Sequence, residues 1–490
     1  MTRTAKPIRT VAFVSLGCPK NLVDSERMLG LLAEDGLIIS SDPAQADAIV
    51  INTCGFLEAS KIESMEQIQQ AIALKKQGQC KRIIVAGCLV QRHKTELLAE
   101  APEIDRLVGV FDREHIVQAV RGRQNPRQPH GHYLGKYHDL SRQQSQGRAA
   151  SSKPTRATRL PVFEDDRGRL RLTPRHYAYL RISEGCNQGC TFCTIPSIRG
   201  PMRSKPLEHI LAEARELAAD GAVELNLIGQ DTTSYGTDIG YAPGLSGLLR
   251  TLDRELADVR WLRLMYAYPS CFTDEMIAAI AECDRVVKYI DIPLQHINDQ
   301  ILAKMRRRVT RKQIETLLDK LRRRIPGLAI RTTFIAGSPG ETDAQHQELV
   351  QFVKDFGFDM MGVFAYSQEP GTAMGRMPDQ IPDDVKQRRV EELMLAQQQV
   401  AFARAAAMVG RTLEVLIDAP APPSASTGAF VARSQSQAPE IDSVVYVRTD
   451  PSRRLHPGQF VNVKVAGHRA YDLIGDIPRK RSRSLTVVAG

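Results

Sequence analysis

Three cysteines fall within eight residues of one predicted loop, at Cys186, Cys190 and Cys193. The loop follows an apolar stretch, Tyr177 to Ile182, and carries glycines that allow the chain to turn tightly. Thiolates at this C-x3-C-x2-C spacing can bind different irons of one iron–sulfur cluster, which normally takes four cysteine ligands. A loop with three cysteines leaves one iron free. We therefore predict a cluster with an open coordination site.

Zinc binding and a purely structural role are the alternative interpretations of these cysteines. Structural zinc sites usually show two close cysteine pairs, or one pair and a later histidine pair, and the sequence has no second close cysteine pair. A disulfide framework is not expected in 490 residues with nine cysteines and no signal-peptide pattern. Packing explains one buried cysteine well but explains three in one short loop poorly.

The length of the chain predicts two to four domains. Residues 8–120 alternate short Val- and Ile-rich runs with segments of helical spacing, which predicts an open parallel α/β sheet. The predicted strands of this N-terminal domain are Val11–Leu16, Ala48–Asn52 and Arg82–Ala86.

Each of these three predicted strands is followed by a cysteine, at Cys18, Cys54 and Cys88. The carboxyl ends of parallel strands share one edge of an open sheet, and ligands bind in the crevices there. A single cysteine at a strand end is more often structural. Three at equivalent positions instead favour a second metal site.

Residues 176–404 show the same strand–helix rhythm and predict a partial (β/α) barrel, whose reactive groups lie at the strand carboxyl ends. The cysteine loop follows the first strand and therefore falls on that face. Gln230, Gln295 and Glu341 fall there too, by position alone. The predicted strands are Tyr177–Ile182, Val223–Ile228, Trp261–Tyr266, Val286–Ile292, Ala329–Ile335 and Met361–Tyr366.

Residues 405–476 read as short strands separated by Pro, Gly and Ser, which predicts a small antiparallel β-barrel. Such barrels often bind nucleic acid through a basic groove. This one carries seven Lys/Arg and seven Asp/Glu, so a protein partner is at least as consistent with its charge.

The net charge of +10 is concentrated in two segments, a predicted flexible linker at 121–175 and a tail at 477–490. Residues 121–160 contribute +8 and the tail contributes +4. Solvated segments and contact with ribosomal RNA are the two interpretations of this charge. No apolar run has the length of a membrane span, so we predict no membrane association and a cytoplasmic protein.

The loop Cys186-x3-Cys190-x2-Cys193, with Phe192 before its last cysteine, resembles the signature of radical S-adenosylmethionine enzymes. The resemblance implies a [4Fe–4S] cluster whose open iron binds S-adenosylmethionine. It also implies that one electron cleaves this cofactor to a 5′-deoxyadenosyl radical, which abstracts hydrogen from the substrate. A flavodoxin or a ferredoxin would be a suitable electron donor. In such enzymes the cofactor supplies the chemistry and the protein supplies orientation and exclusion of water.

The order of the domains over residues 8–475 resembles the methylthiotransferases, whose C-terminal barrel is of the TRAM type. The resemblance implies a second [4Fe–4S] cluster on Cys18, Cys54 and Cys88, which delivers sulfur to the substrate. A second S-adenosylmethionine would donate the methyl group. A carrier of iron–sulfur clusters without catalysis is the alternative from another functional class.

Two subfamilies of methylthiotransferases differ in substrate: one modifies an adenosine of transfer RNA, and the RimO type modifies the β-carbon of an aspartate in small-subunit ribosomal protein S-twelve. Three stretches of this chain, Leu16 to Glu26, Asn52 to Phe56 and Ile195 to Pro201, are similar to the RimO type. Transfer-RNA enzymes typically have Gln-Met after the first cysteine, where this chain has Pro19-Lys20. The resemblance therefore implies the aspartate as substrate.

Overall fold

The computed structural model describes residues 7–122, 132–135, 165–422, 430–450 and 453–478. They form three successive domains, as expected from the sequence. None of the helices in these ranges is both long and apolar enough to cross a membrane.

The N-terminal domain is a five-stranded, fully parallel sheet with the order β2-β1-β3-β4-β5. Apolar clusters cover both faces, which explains why β3 is buried along its whole length. The strands are β1 Thr10–Ser15, β2 Ile38–Ser40, β3 Ala48–Thr53, β4 Arg82–Gly87 and β5 Arg106–Val108. The helices are Pro19–Glu34, Glu58–Lys76, Cys88–His93, Leu97–Glu100 and Ile116–Arg121, with 3-10 turns at Pro43–Gln45, Lys94–Glu96 and Val110–His115.

The predicted strands of this domain match β1, β3 and β4, and the sequence analysis missed the two edge strands. β2 and β5 have only three residues each. A strand this short shows no period that could distinguish it from a loop.

The central domain is a six-stranded parallel sheet whose strands lie side by side in sequence order, as in a partial barrel. Capping boxes at Thr310 and Thr342 fix where two of its helices begin. The strands are β6 Tyr177–Arg181, β9 Glu224–Ile228, β10 Trp261–Leu264, β11 Val286–Asp291, β12 Ala329–Ala336 and β13 Met360–Ala365, and a short antiparallel pair is formed by β7 Ser183–Glu184 and β8 Arg203–Ser204.

The long helices of the central domain pack against one face of this sheet, whereas the short helix Ile195–Arg199 packs against the helix Cys88–His93 of the N-terminal domain. The helices are Ile195–Arg199, Leu207–Ala219, Gly244–Glu255, Asp274–Glu282, Asp299–Lys304, Arg311–Arg324, Asp343–Phe356 and Asp383–Ala407, with 3-10 turns at Pro269–Cys271 and Met374–Arg376. The last helix packs on β13 and on the helix Asp343–Phe356, and it runs three residues past the expected boundary at residue 404.

The C-terminal domain is a closed five-stranded barrel with the order β14-β15-β16-β18-β17. Four strand pairings are antiparallel, as predicted, and β16 pairs with β18 in parallel. Closure leaves no unpaired edge. The strands are β14 Thr412–Pro420, β15 Phe430–Ser434, β16 Val445–Arg448, β17 Phe460–Arg469 and β18 Asp472–Asp476.

We call the inner face of the partial barrel the lumen, and side chains from all three domains meet there. One apolar cluster joins Tyr179 and Met265 of the barrel to Val23 of the N-terminal domain and Leu416 of the C-terminal barrel. The three domains therefore share one core rather than being joined only by their connecting segments.

Part of the predicted linker is packed into this structure. Tyr133 is fully buried and forms a parallel bridge to Val108. Asp166 is fully buried as well and pairs with Arg113 of the N-terminal domain and Arg181 of the barrel. Tyr133 is therefore a fixed part of the N-terminal domain, and Asp166 is a fixed part of the interface between two domains. Residues 123–131 and 136–164 of the predicted linker, and residues 479–490 of the tail, lie outside the described residues.

Candidate functional site: two cysteine triads facing one lumen

The first cysteine triad, Cys186, Cys190 and Cys193, lies in the loop between β7 and the helix Ile195–Arg199. Gly185 makes this loop possible, because its φ is +78° and an added Cβ would lie 2.2 Å from the carbonyl oxygen of Pro201. All three thiols are free, and their residues are partly exposed. The sequence thus brings them to the carboxyl end of the barrel, as predicted.

Backbone and side-chain donors surround the sulfurs of the first triad. The backbone N–H groups of Gln188 and Ile195 lie 3.5 Å from Cys186 Sγ and 3.4 Å from Cys193 Sγ. Arg307 Nη1 lies 3.5 Å from Cys190 Sγ, and the Tyr268 hydroxyl lies 3.7 Å from the same sulfur. Such donors stabilise sulfur that carries negative charge.

The second triad, Cys18, Cys54 and Cys88, lies at the carboxyl ends of β1, β3 and β4, which are neighbours in the sheet. The backbone approaches closely here: a Cβ added to Gly17 would lie 2.8 Å from Cβ of Cys54. Arg199 of the central domain donates from Nη2 to Cys88 Sγ over 3.2 Å. Three neighbouring strand ends therefore supply one cysteine each, and an arginine of the central domain contacts one of these cysteines.

Burial keeps several of these thiols protonated in the absence of a cation. It raises the pKa of Cys186 to about 11 and that of Cys193 and Cys88 to about 12. A bound metal reverses this preference, because a coordinating thiol loses its proton outright. Closely spaced thiols beside the cationic donors Arg307 and Arg199 therefore fit a metal cluster.

The arrangement of the described residues also bears on which metal fits. No three Cys, His, Asp or Glu side chains among them are placed to hold a single metal ion. A zinc ion needs ligands that converge on one point about 2.3 Å from each sulfur, whereas cysteines around an iron–sulfur cluster bind separate irons. Binding of a cluster does not require three sulfurs to converge on one point.

The loop that follows β10 connects the two triads across the lumen. The ammonium of Lys20, two residues from Cys18, lies 3.1 Å from the ring centroid of Tyr266, and burial raises the pKa of that phenol. Tyr268, two residues further on, faces Cys190. An extended dipeptide spans about 7 Å at most, so the loop brings the surroundings of both triads close together. Tyr266 adopts a φ of +61°, a costly conformation for a bulky residue.

A network of buried charges fixes the N-terminal domain against the barrel beside the second triad. Asp24 accepts hydrogen bonds from Arg113 and Arg181 at 2.8 Å and from Arg199 at 2.9 Å. Glu184 pairs with Arg199 at 3.1 Å, so the arginine that contacts Cys88 is held by two carboxylates. Buried charges of this kind are stable only when they are paired. The network therefore positions Arg199 toward the cysteine.

The three residues that were predicted to lie near S-adenosylmethionine have different surroundings. Gln230 donates to Glu184 over 2.6 Å, and its Oε1 is a buried atom without a partner among the described residues. Gln295 lies at the end of an isolated bridge to Phe334 with a φ of +76°. Glu341 is buried and accepts from the backbone of Gly337 at 2.7 Å and Ser338 at 2.9 Å, so one of its oxygens holds the loop itself.

Sequence reasoning placed Tyr268 on the strand-end face and assigned a role to none of five residues that the structure brings to the triads: Lys20, Arg199, Tyr266, Tyr268 and Arg307. Lys20 and Arg199 lie in two of the stretches that resemble the RimO type. The resemblance indicated that these stretches matter but gave neither residue a function. Tyr268 follows a predicted strand end, and Arg307 belongs to a run of arginines that resembles a solvated helix end. No spacing pattern in the sequence connects these residues to the cysteines.

Comparisons with known proteins agree with this architecture. Three family models match successive parts of the chain: the uncharacterized protein family UPF0004 at residues 10–109, the radical SAM superfamily at 180–353 and the TRAM domain at 409–477. Among solved structures, a radical S-adenosylmethionine methyltransferase, TsrM, from Kitasatospora setae matches with a TM-score of 0.51 at 17% identity over 75% of each chain. That likeness concerns the fold alone.

Curated relatives match nearly the whole chain. The ribosomal protein uS12 methylthiotransferase RimO of Anaeromyxobacter sp. (strain K) is 42% identical over 96% of this chain and 94% of its own length. The protein of the same name from Syntrophotalea carbinolica is 41% identical over 96% of this chain and 97% of its own. This chain is a radical S-adenosylmethionine methylthiotransferase, and it belongs to the RimO family.

Proposed function

We propose that this protein transfers a methylthio group to the β-carbon of an aspartate in small-subunit ribosomal protein S-twelve. The observation that supports the proposal is that the loop Tyr266–Tyr268 reaches the surroundings of both triads. The Tyr268 hydroxyl lies 3.7 Å from Cys190 Sγ, and Lys20, two residues from Cys18, lies 3.1 Å from the ring centroid of Tyr266. Methylthiolation needs a radical at the substrate carbon and a sulfur donor beside it. A site that combines two clusters satisfies both needs.

In this proposal Cys186, Cys190 and Cys193 hold a [4Fe–4S] cluster that binds S-adenosylmethionine, and Cys18, Cys54 and Cys88 hold a second [4Fe–4S] cluster. When bound, these groups and S-adenosylmethionine supply the radical, the sulfur and the methyl group. The chain itself orients them. Gln230 and Gln295 line the strand ends beside the first cluster, and Glu341 shapes the neighbouring loop.

Arginines of the central domain would tune both clusters. Arg307 donates to Cys190, and Arg199 donates to Cys88. Hydrogen bonds and positive charge at cluster sulfurs stabilise the reduced, more negative state. Tyr268 is buried and Tyr266 is partly buried, so both would help to keep water away from a reactive radical.

The partners in this proposal follow from the same chemistry. The radical cluster needs one-electron reduction, for which a flavodoxin or a ferredoxin is a suitable donor. The target protein belongs to the small ribosomal subunit, so the enzyme would act in the cytoplasm. The basic residues at 121–160 and 477–490 would favour contact with ribosomal RNA, since they carry +8 and +4.

The reaction is tested by incubating the anaerobically reconstituted protein with small ribosomal subunits and, separately, with transfer RNA. Mass spectrometry then searches for a methylthio group. A modified aspartate in protein S-twelve supports the proposal. A modified adenosine would keep the mechanism and overturn the substrate. Absence of S-adenosylmethionine cleavage would favour an iron–sulfur carrier.

Two cysteine variants test the division of labour between the triads. Cys190→Ala should abolish formation of 5′-deoxyadenosine, whereas Cys54→Ala should retain cofactor cleavage and lose methylthio transfer. Cys283→Ala, a buried cysteine remote from both triads in sequence, is the matched control and should retain both activities. Undiminished 5′-deoxyadenosine in the Cys190 variant, or persistent methylthio transfer in the Cys54 variant, contradicts the assignment.

A further inference from the structure

Lys20 is a buried lysine that forms no ion pair with a carboxylate of the described residues. It is 7% exposed, and its ammonium lies 3.1 Å from the ring centroid of Tyr266. Within the described ranges of the chain, this ammonium makes neither a hydrogen bond nor an ion pair. The neighbouring buried cations differ, because Arg181 and Arg199 each contact two or more carboxylates.

The acidic groups around Lys20 are already used by other residues. Burial lowers the pKa of Lys20, while Cys18, Glu184 and Asp291 act on it in the opposite direction. Glu184 pairs with Arg199, and Asp291 pairs with Arg331 at 2.9 Å. Among the described residues, Lys20 therefore has no carboxylate partner of its own.

A buried ammonium without a counter-ion is costly, and a cation–π contact with Tyr266 offsets only part of that cost. Such a group is retained where a ligand brings the opposite charge. The substrate side chain of the proposed function is an aspartate, which carries one carboxylate. An adenine base, by contrast, is uncharged and would leave the ammonium unpaired.

We propose that Lys20 binds the carboxylate of the substrate aspartate and thereby selects an acidic side chain over a neutral one; this inference rests on the proposed function. Lys20 is two residues from Cys18 of the second triad. The carbon that receives the sulfur is bonded directly to that carboxylate. Anchoring the carboxylate at Lys20 therefore holds the carbon beside the triad that delivers the sulfur.

The test measures binding of two fluorescent peptides to the reconstituted protein, anaerobically and without a reductant, so that no turnover occurs. One peptide carries the target aspartate of protein S-twelve, and the other carries asparagine there. The wild type should bind the aspartate peptide about 10- to 100-fold more tightly, as for a charge-assisted hydrogen bond. Lys20→Gln should reduce this preference to about twofold or less, and Lys20→Arg should retain most of it.

Lys312→Gln is the matched control, since Lys312 is exposed on the helix Arg311–Arg324. It should leave the preference unchanged. Equal binding of the peptides by the wild type, no binding of either, or an unchanged preference in Lys20→Gln overturns the inference.

Iron content and peptide preference separate the remaining explanations. Loss of iron from Lys20→Gln would assign Lys20 to the cluster rather than to the substrate, and would also overturn the inference. A wild type that prefers the aspartate peptide but forms no methylthio product on ribosomal subunits would support Lys20 as a carboxylate site. The missing methylthio product would refute the proposed function.

Discussion

Replacement of Asp24 by asparagine should loosen the N-terminal domain from the barrel. Asp24 is 4% exposed and accepts three charge-assisted hydrogen bonds from Arg113, Arg181 and Arg199, at 2.8 to 2.9 Å. Asparagine has nearly the same shape but no charge, and it presents an N–H₂ group to one side of this cluster. The change leaves buried arginines without full compensation.

The magnitude follows from the number of hydrogen bonds. Each bond to a charged group contributes about 1.5–3 kcal/mol, and the amide oxygen of asparagine can still accept one or two of them. Removing one partner of a buried ion pair typically costs about 3–5 kcal/mol. Since about 1.4 kcal/mol corresponds to a factor of ten, amides protected by this interface should exchange roughly 100- to 3000-fold faster.

Hydrogen-exchange mass spectrometry on the helix Pro19–Glu34 measures this effect directly. Asp35→Asn is the matched control on the residue that ends the same helix. Asp35 pairs with Arg121 at 2.7 Å, and both side chains are about one-quarter exposed, at 27% and 26%. A partly exposed pair of this kind contributes about 0–1 kcal/mol. If Asp24→Asn accelerates exchange no more than Asp35→Asn, the network does not hold the two domains together.

Two further predictions concern the second triad and the C-terminal barrel. Gly17→Ala should lose the irons of the second cluster and keep those of the first, because its Cβ would lie 2.8 Å from Cβ of Cys54. Gly36 has a similar φ of +77°, but a Cβ added there would meet none of the described residues within 4 Å, so Gly36→Ala is the control. Equal iron loss in both variants would refute the steric argument. Burial raises the pKa of Asp418, but hydrogen bonds from His176 and Arg433 outweigh burial and lower it below 3.8. The stabilisation from Asp418 is therefore present above pH 3.8 and is lost as the pH falls through the lowered pKa. Fluorescence of Trp261 should report this acid transition, because the ring centroids of Trp261 and Phe460 of β17 are 4.9 Å apart. Asp418→Asn should abolish the transition. Asp476→Asn is the control and should leave it unchanged, since Asp476 forms an exposed ion pair with Arg448.

Local sequence patterns were sufficient for much of the fold. Val- and Ile-rich runs predicted β1, β3 and β4 and all six long strands of the central domain, because buried parallel strands are apolar on both faces. The position of each cysteine just after a run placed both triads at strand carboxyl ends. Resemblance to a family then supplied the chemistry. The two three-residue edge strands carried no such pattern and were missed.

The sequence by itself determined which segments form strands and where the cysteines stand on them, since these features depend on neighbours a few residues away. Only the tertiary structure decided that Arg199 contacts Cys88, that Asp24 accepts hydrogen bonds from three arginines and that the Lys20 ammonium lies over the ring of Tyr266. These partners are separated by up to 246 residues, as for Lys20 and Tyr266. Such pairs leave no periodic trace in the chain, because a charge is fixed by whichever group the packed domains bring beside it.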